Sequence, residues 1–156
     1  MPISDLKLSN NFSLFEFCRA SNHVSLWEEN TEYASLHLET LRLLATDLEI
    51  IRARFNIPLF ITSGIRCPAL NAAVGGVETS QHLKGEAVDF TAPNGNLLEI
   101  FSWIVKASGL PFGQTIYERK NGALWIHYSL GEPYREPAKC RQALVFDGKQ
   151  YNTFVG

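Results

Sequence analysis

The sequence predicts an α+β domain in which a small antiparallel sheet packs against helices. Two observations lead to this prediction. Helical periodicity comes first along the chain, and short strand patterns interleaved with one further helix follow it. The chain has 156 residues, of which 46% are hydrophobic, and this is enough apolar material for one core. We therefore expect residues 1–156 to form a single domain.

Four helices are predicted from capping residues and from apolar residues at helical spacing. Ser13 is expected to begin the first helix, because Glu16 follows at the spacing of a capping box. Asn30 or Thr31 is the expected cap of the second helix, whose apolar stripe indicates one buried face. The predicted ranges are 13–19, 32–55, 68–73 and 97–106.

Five strands are predicted from short runs that are rich in β-branched and aromatic residues. The dipeptide Asn121-Gly122 separates two of these runs and is a strong hairpin signal, so we expect those two strands to pair. A turn at Asp147-Gly148 is expected to end the last strand. The predicted ranges are 57–62, 86–91, 114–119, 124–130 and 142–146.

Composition and charge argue against several classes of partner. The net charge is -2 and no polybasic run exists, which argues against binding to nucleic acid or anionic lipid. No apolar stretch is long enough to span a membrane, and no secretory signal is visible, so we expect a protein that is cytoplasmic when synthesised. The three cysteines form no metal or disulfide pattern and are expected to be free thiols in a reducing compartment.

Ionisable residues lie inside two of the predicted strands. Asp89 is flanked by Val88 and Phe90, and His127 lies in an equally apolar run, where an ionisable side chain needs a partner. His82 precedes Asp89 in a polar stretch flanked by glycine. If the strands are neighbours, two imidazoles and one carboxylate can converge on a catalytic zinc ion. The alternative is a buried Asp–His pair beside a surface histidine.

The spacing of these residues resembles a known family signature. Ser80-x-His82-x-x-Gly85-x-Ala87-x-Asp89, followed by Trp125-x-His127, resembles the signature of the D-alanyl-D-alanine carboxypeptidase family of zinc peptidases, peptidase family M15. The resemblance spans roughly residues 10–130 and implies a Hedgehog/DD-peptidase-like fold. The segments that resemble the small, single-domain branch are Phe12–Glu16, Ser63–Pro68 and Asn71.

The resemblance implies a role for each matched position. His82, Asp89 and His127 match the three ligands of Zn²⁺. Arg66 matches an arginine that holds the scissile carbonyl or a substrate carboxylate, a task suited to a guanidinium. Ser80 is expected either to bind the peptide or to cap its loop.

The catalytic base is the point where this chain departs from the family pattern. Many relatives carry an acid three residues before the last histidine, and here that position is Leu124. We expect Glu118, at the end of the preceding strand, to act as the base, because a hairpin would bring it towards His127. Glu86 is a weaker rival, and a solvated hairpin glutamate is the alternative reading of Glu118.

The function implied by the resemblance is hydrolysis of a peptide bond in bacterial peptidoglycan or in muropeptides derived from it. Either a D,D-carboxypeptidase or an endopeptidase is consistent with this, as is a phage lysis enzyme that acts on the wall. A zinc-containing but non-catalytic wall-binding or virion protein is the alternative, and a metal-free domain is a third. The bond cleaved, a phage or bacterial origin and the oligomeric state stay open.

Overall fold

The computed structural model describes residues 5–155, and the fold is α+β, as predicted. These residues contain five α-helices and one six-stranded sheet. The helices are α1 (Leu14–Cys18), α2 (Trp27–Ser35), α3 (Leu38–Phe55), α4 (Pro68–Ala73) and α5 (Leu97–Lys106). The strands are β1 (Phe60–Ser63), β2 (Ala87–Thr91), β3 (Phe112–Lys120), β4 (Ala123–Leu130), β5 (Gln142–Phe146) and β6 (Tyr151–Thr153). Short 3₁₀ turns cover Val24–Leu26, Gln81–Lys84 and Pro137–Lys139.

Three helices begin at residues whose side chains favour a helix start. The Glu16 carboxylate accepts the backbone N–H of Ser13 over 2.8 Å at the start of α1. Pro68 occupies the first turn of α4, where a missing N–H costs nothing. The side chain of Asn96 accepts the N–H of Glu99 over 3.1 Å at the start of α5.

The single long helix expected over 32–55 is wrong, because the chain forms α2 and α3 instead. The N–H groups of Leu36 and His37 bond to carbonyls only three residues back, which tightens the turn and ends α2. The expected caps are wrong as well, since Asn30 and Thr31 both lie inside α2. The apolar stripe of α3 is buried as predicted at Leu41, Leu44, Leu48 and Ile51.

The sheet is mixed rather than purely antiparallel. Its strand order is β1-β2-β4-β3-β5-β6, with β3 antiparallel to β4 across the predicted hairpin. β5 runs parallel to β3, because the connection over 131–141 carries the chain past β3 to its other side. β6 was not predicted from sequence, since its three residues are all exposed and give no apolar pattern. β1 starts three residues later than expected.

Residues 5–155 divide into two compact units, 5–49 with 61–88 and 50–60 with 89–155. The borders between them fall inside α3, β1 and β2. In the first unit, the rings of Phe12 and Phe17 stack with their centroids 5.9 Å apart. In the second, the Phe101 ring of α5 packs edge-on against Tyr117 of β3 at 5.8 Å. Within residues 5–155, no helix is both long enough and apolar enough to cross a membrane.

Candidate metal centre

His82 is held in one orientation by its own unit. It lies in the 3₁₀ turn Gln81–Lys84 and is only 3% exposed. Its Nδ1 lies 2.7 Å from the backbone carbonyl oxygen of Gly64. A carbonyl only accepts hydrogen bonds, so Nδ1 carries the proton and donates it. The lone pair of the neutral ring is therefore on Nε2, the arrangement that a metal-ligating histidine uses.

Asp89 and His127 face each other in the second unit. Oδ1 of Asp89 in β2 lies 2.9 Å from Nδ1 of His127 in β4. Each side chain is 13% exposed, whereas the flanking Val88, Phe90, Ile126 and Tyr128 are fully buried. The period of a strand explains this contrast, because alternate residues point to opposite faces of the sheet.

His82, Asp89 and His127 form a group that could hold a metal ion. One ligand atom from each residue lies within 4.8 Å of the others. Two imidazoles with one carboxylate suit zinc chemically. The donor set therefore fits the ion that the sequence predicts.

Arg66 lies beside His82 within the first unit. The backbone N–H of Arg66 donates to the carbonyl of His82 over 3.0 Å. Its guanidinium donates from Nε to Oγ of Ser63 over 3.2 Å and from Nη1 to Oδ1 of Asn71 over 3.3 Å. Asn71 is 5% exposed, so a buried amide fixes one edge of the guanidinium. A cavity of about 460 Å³ opens beside it, lined by Pro68, Asn71, Ala72, Gly76, Glu78 and Leu83.

Ser80 was expected either to bind the peptide or to cap its loop, and it caps the loop. Its Oγ accepts the backbone N–H of His82 over 3.2 Å, which caps the 3₁₀ turn that carries the histidine. Gly85 ends that turn in the left-handed conformation, with φ of 67°. The turn is therefore fixed at both ends, and a role for Ser80 in binding peptide stays a prediction.

Glu118 lies on the same face of the sheet as His127. In the β3–β4 register Glu118 is opposite Trp125, and Ile116 is opposite His127. Glu118 and His127 are thus diagonal neighbours, whose Cα atoms typically lie roughly 7–8 Å apart. Leu124 is an odd number of residues from His127 on a continuous strand and points to the opposite face. An acid at position 124 could not reach His127 in this register, whereas Glu118 can face it.

Glu86, the rival base, lies in a different setting. It precedes β2, is 7% exposed and accepts a hydrogen bond from Nε2 of Gln81 over 3.4 Å. Burial raises the pKa of the Glu86 carboxyl, against smaller opposing effects of Gln81 and Lys84. These contacts tie it to the turn that carries His82.

Tyr151 is a residue near the site that sequence reasoning missed. Phe146 pairs with Glu118 on one side and with Tyr151 on the other, so all three share a face of the sheet. Tyr151 is 56% exposed, but its partial desolvation raises its pKa, and the negative charges of Glu118 and Asp89 raise it further. The phenol therefore stays a protonated donor at neutral pH. No sequence signal pointed to it, because β6 itself was not predicted.

Two imidazoles and one carboxylate that could hold one ion are a ligand set that catalytic zinc sites use. The family model for peptidase M15 matches residues 11–129, a range that contains Arg66, Ser80, Glu118 and all three candidate ligands. The chain belongs to the peptidase M15 family, whose members are metallopeptidases. A comparison with curated proteins found no match.

Proposed function

We propose that residues 1–156 form one zinc-dependent peptidase domain that hydrolyses a peptide bond in bacterial peptidoglycan or muropeptides. The observation that carries this proposal is the group of His82, Asp89 and His127, whose ligand atoms lie within 4.8 Å of one another. Membership of the peptidase M15 family supports both the metal and the reaction class. The peptidoglycan substrate rests on the resemblance of the Ser80–Asp89 and Trp125–His127 motifs to the D-alanyl-D-alanine carboxypeptidases.

His82, Asp89 and His127 would hold the zinc ion. When bound, zinc lowers the pKa of water towards neutrality and polarises a carbonyl group. The fixed Nδ1–H of His82 supports this assignment, because it leaves Nε2 as the atom that ligates.

Glu118 is proposed as the general base. Its position diagonal to His127 supports this role, since a carboxylate on that face can take a proton from the attacking water. The same carboxyl would then return the proton to the leaving amine. Peptide hydrolysis needs both transfers, and one residue can supply both in turn.

Arg66 is proposed to bind the substrate oxygen on which negative charge develops, or a terminal carboxylate of the peptide. The contacts of its guanidinium with Ser63 and Asn71 support this role, because a pre-oriented cation costs little to position during the reaction. The adjoining cavity of about 460 Å³ is large enough for part of a peptide.

A product analysis tests this proposal. Purified peptidoglycan and isolated muropeptides are incubated with the zinc-loaded protein, and the products are identified by mass spectrometry. We expect two products whose masses add up to that of the substrate plus one water, and the identity of the products shows whether the enzyme is a D,D-carboxypeptidase, a D,D-endopeptidase or an L,D-cleaving enzyme. If the zinc-loaded protein binds the wall and releases nothing, the non-catalytic wall-binding function is correct instead.

A further inference from the structure

A buried amide on α2 holds the backbone on both sides of Arg66. Asn30 is fully buried. Its Oδ1 accepts the backbone N–H of Cys67 over 2.7 Å, and its Nδ2 donates to the carbonyl of Ile65 over 3.0 Å. Nδ2 also donates to the carbonyl of Cys18 over 2.7 Å. One side chain therefore ties the segment that carries Arg66 to the end of α1.

Tyr33 lies on the same face of α2 and contacts the segment that carries His82. It follows Asn30 by three residues, the spacing that brings two side chains to one face of a helix. Its hydroxyl donates to the backbone carbonyl of Leu83, the residue after His82. Burial is the main cause of a raised pKa for Tyr33, so the hydroxyl keeps its proton.

These two contacts reach segments that are already joined to each other. The carbonyl of Gly64 accepts from the His82 ring, and the N–H of Arg66 donates to the His82 carbonyl. Asn30 holds the residues that flank Arg66, and Tyr33 holds the residue after His82. A shift of α2 would therefore move the guanidinium and the imidazole together.

The identity of residue 30 is informative in itself. Asparagine is a poor helix former, because its amide competes with the helical backbone. A fully buried asparagine is also costly unless its polar atoms are satisfied. Here three backbone groups from two separate segments satisfy the amide of Asn30. An apolar residue would serve better if the position only filled the core.

We propose that Asn30 and Tyr33 are positioning residues that orient Arg66 and His82 for catalysis and metal binding. The inference rests on the proposed function for the roles of Arg66 and His82. Neither Asn30 nor Tyr33 is proposed to touch the substrate or the metal ion. Their effect passes through Ile65, Cys67 and Leu83 to the two functional residues.

The test compares Asn30→Ala and Tyr33→Phe with Leu44→Ala as a matched control. Leu44 is fully buried in α3, so its truncation destabilises the same unit without removing a hydrogen bond to either segment. Zinc affinity is measured by chelator competition, and kcat and KM on muropeptides, at a temperature where each variant is folded. We expect Asn30→Ala to lose about 10–100-fold in zinc affinity and in kcat/KM, the usual effect of removing an outer partner of a site. Tyr33→Phe should lose less in the same direction, and Leu44→Ala should match the wild type.

A double-mutant cycle separates positioning from general loss of stability. In the Asn30→Ala background, Arg66→Ala should cost far less kcat/KM than in the wild type, whereas in the Leu44→Ala background its cost should be unchanged. Two results would overturn the proposal. One is that the effects of Asn30→Ala and Arg66→Ala on kcat/KM are additive. The other is that Asn30→Ala and Tyr33→Phe both keep wild-type zinc affinity. If Asn30→Ala does not fold, Tyr33→Phe decides by its zinc affinity. If the wild type binds zinc but cleaves nothing, the proposed function fails, and the zinc affinities still decide whether α2 positions His82.

Discussion

The backbone N–H of Arg66 donates to the backbone carbonyl of His82 over 3.0 Å, so a proposed substrate-binding residue and a proposed metal ligand share a hydrogen bond. Two residues before Arg66, the carbonyl of Gly64 accepts the Nδ1–H of the same histidine. The strand-end segment Gly64–Arg66 thus supports both functional side chains. Changes in this segment should therefore affect metal binding and substrate binding together.

Gly64→Ala is expected to weaken both stability and zinc binding. A Cβ at position 64 would lie 2.1 Å from the backbone oxygen of Phe17, which cannot move as a flexible side chain could. Such overpacking costs about 1–3 kcal/mol of unfolding free energy. The displaced Gly64 carbonyl would also lose its hydrogen bond with Nδ1 of His82. Urea unfolding and chelator competition measure the two effects.

Gly75→Ala is the control for this substitution. Gly75 has a φ of 74°, so an alanine there is strained, but no atom beyond its two neighbours in the chain lies within 4 Å of the added Cβ. We expect a loss of stability with wild-type zinc affinity. Equal zinc affinity in Gly64→Ala and Gly75→Ala would contradict the supporting role of the Gly64 carbonyl.

Glu118→Gln is expected to keep zinc and lose hydrolysis. The amide cannot take a proton from water, so we expect kcat to fall by about 10²–10⁴-fold, the usual contribution of a general base. Zinc content is measured on the same samples as kcat. Glu86→Gln should keep its activity, because Glu86 is bonded to Gln81 before β2 begins. A fully active Glu118→Gln would remove Glu118 from the mechanism.

A second substitution, Leu124→Glu, tests where the base lies on the hairpin. Relatives with an acid three residues before the last histidine suggest that Leu124→Glu could rescue Glu118→Gln. The strand register predicts no rescue, since position 124 points away from the face of His127. Recovery of hydrolysis in the double variant would show that the register of β4 is wrong near its start.

Asp89→Asn is expected to lose zinc. An amide oxygen is a neutral and weaker zinc ligand than a carboxylate, and loss of even an outer partner costs about 10–100-fold in affinity, so we expect more than about 100-fold here. His23→Ala is the control, because His23 is not among the three residues grouped at the candidate site. Competition with a chelator gives both affinities. Unchanged zinc binding by Asp89→Asn would exclude Asp89 as a ligand.

The pH dependence of stability should change in Glu86→Gln. Burial raises the pKa of Glu86 in the folded state above its unfolded value of about 4.3. A raised folded pKa adds stability at low pH that is lost as the pH rises through it. Glutamine does not titrate. The unfolding free energy of the variant, relative to that of the wild type, should therefore increase as the pH rises from acidic to neutral. Urea midpoints of the zinc-free proteins at pH 4 and pH 8 measure this difference, and a constant difference would contradict it.

Local sequence patterns predicted the elements that carry the candidate site. Apolar residues flank Asp89 and His127 in runs that are typical of strands. Asp89 does lie in β2, and His127 lies in β4. The Asn121-Gly122 turn likewise fixed which strands form the hairpin. These features depend on neighbouring residues alone, which is why a single sequence could show them.

Features that depend on distant contacts could not be predicted in this way. The break between α2 and α3 occurs at Leu36-His37, without a glycine or proline to signal it. The local sequence predicts a helix cap at Asn30, because its partners Ile65 and Cys67 lie more than thirty residues away. The parallel pairing of β5 with β3 also follows from a long connection rather than from a turn motif.

The most direct test of the proposed zinc peptidase measures zinc content and muropeptide hydrolysis together along a chelator titration. The assignment of His82, Asp89 and His127 to one zinc ion predicts that hydrolysis falls in proportion to bound zinc and returns when zinc is added back. Equal hydrolysis by the zinc-free protein would contradict it. So would a fully zinc-loaded protein that cleaves no muropeptide.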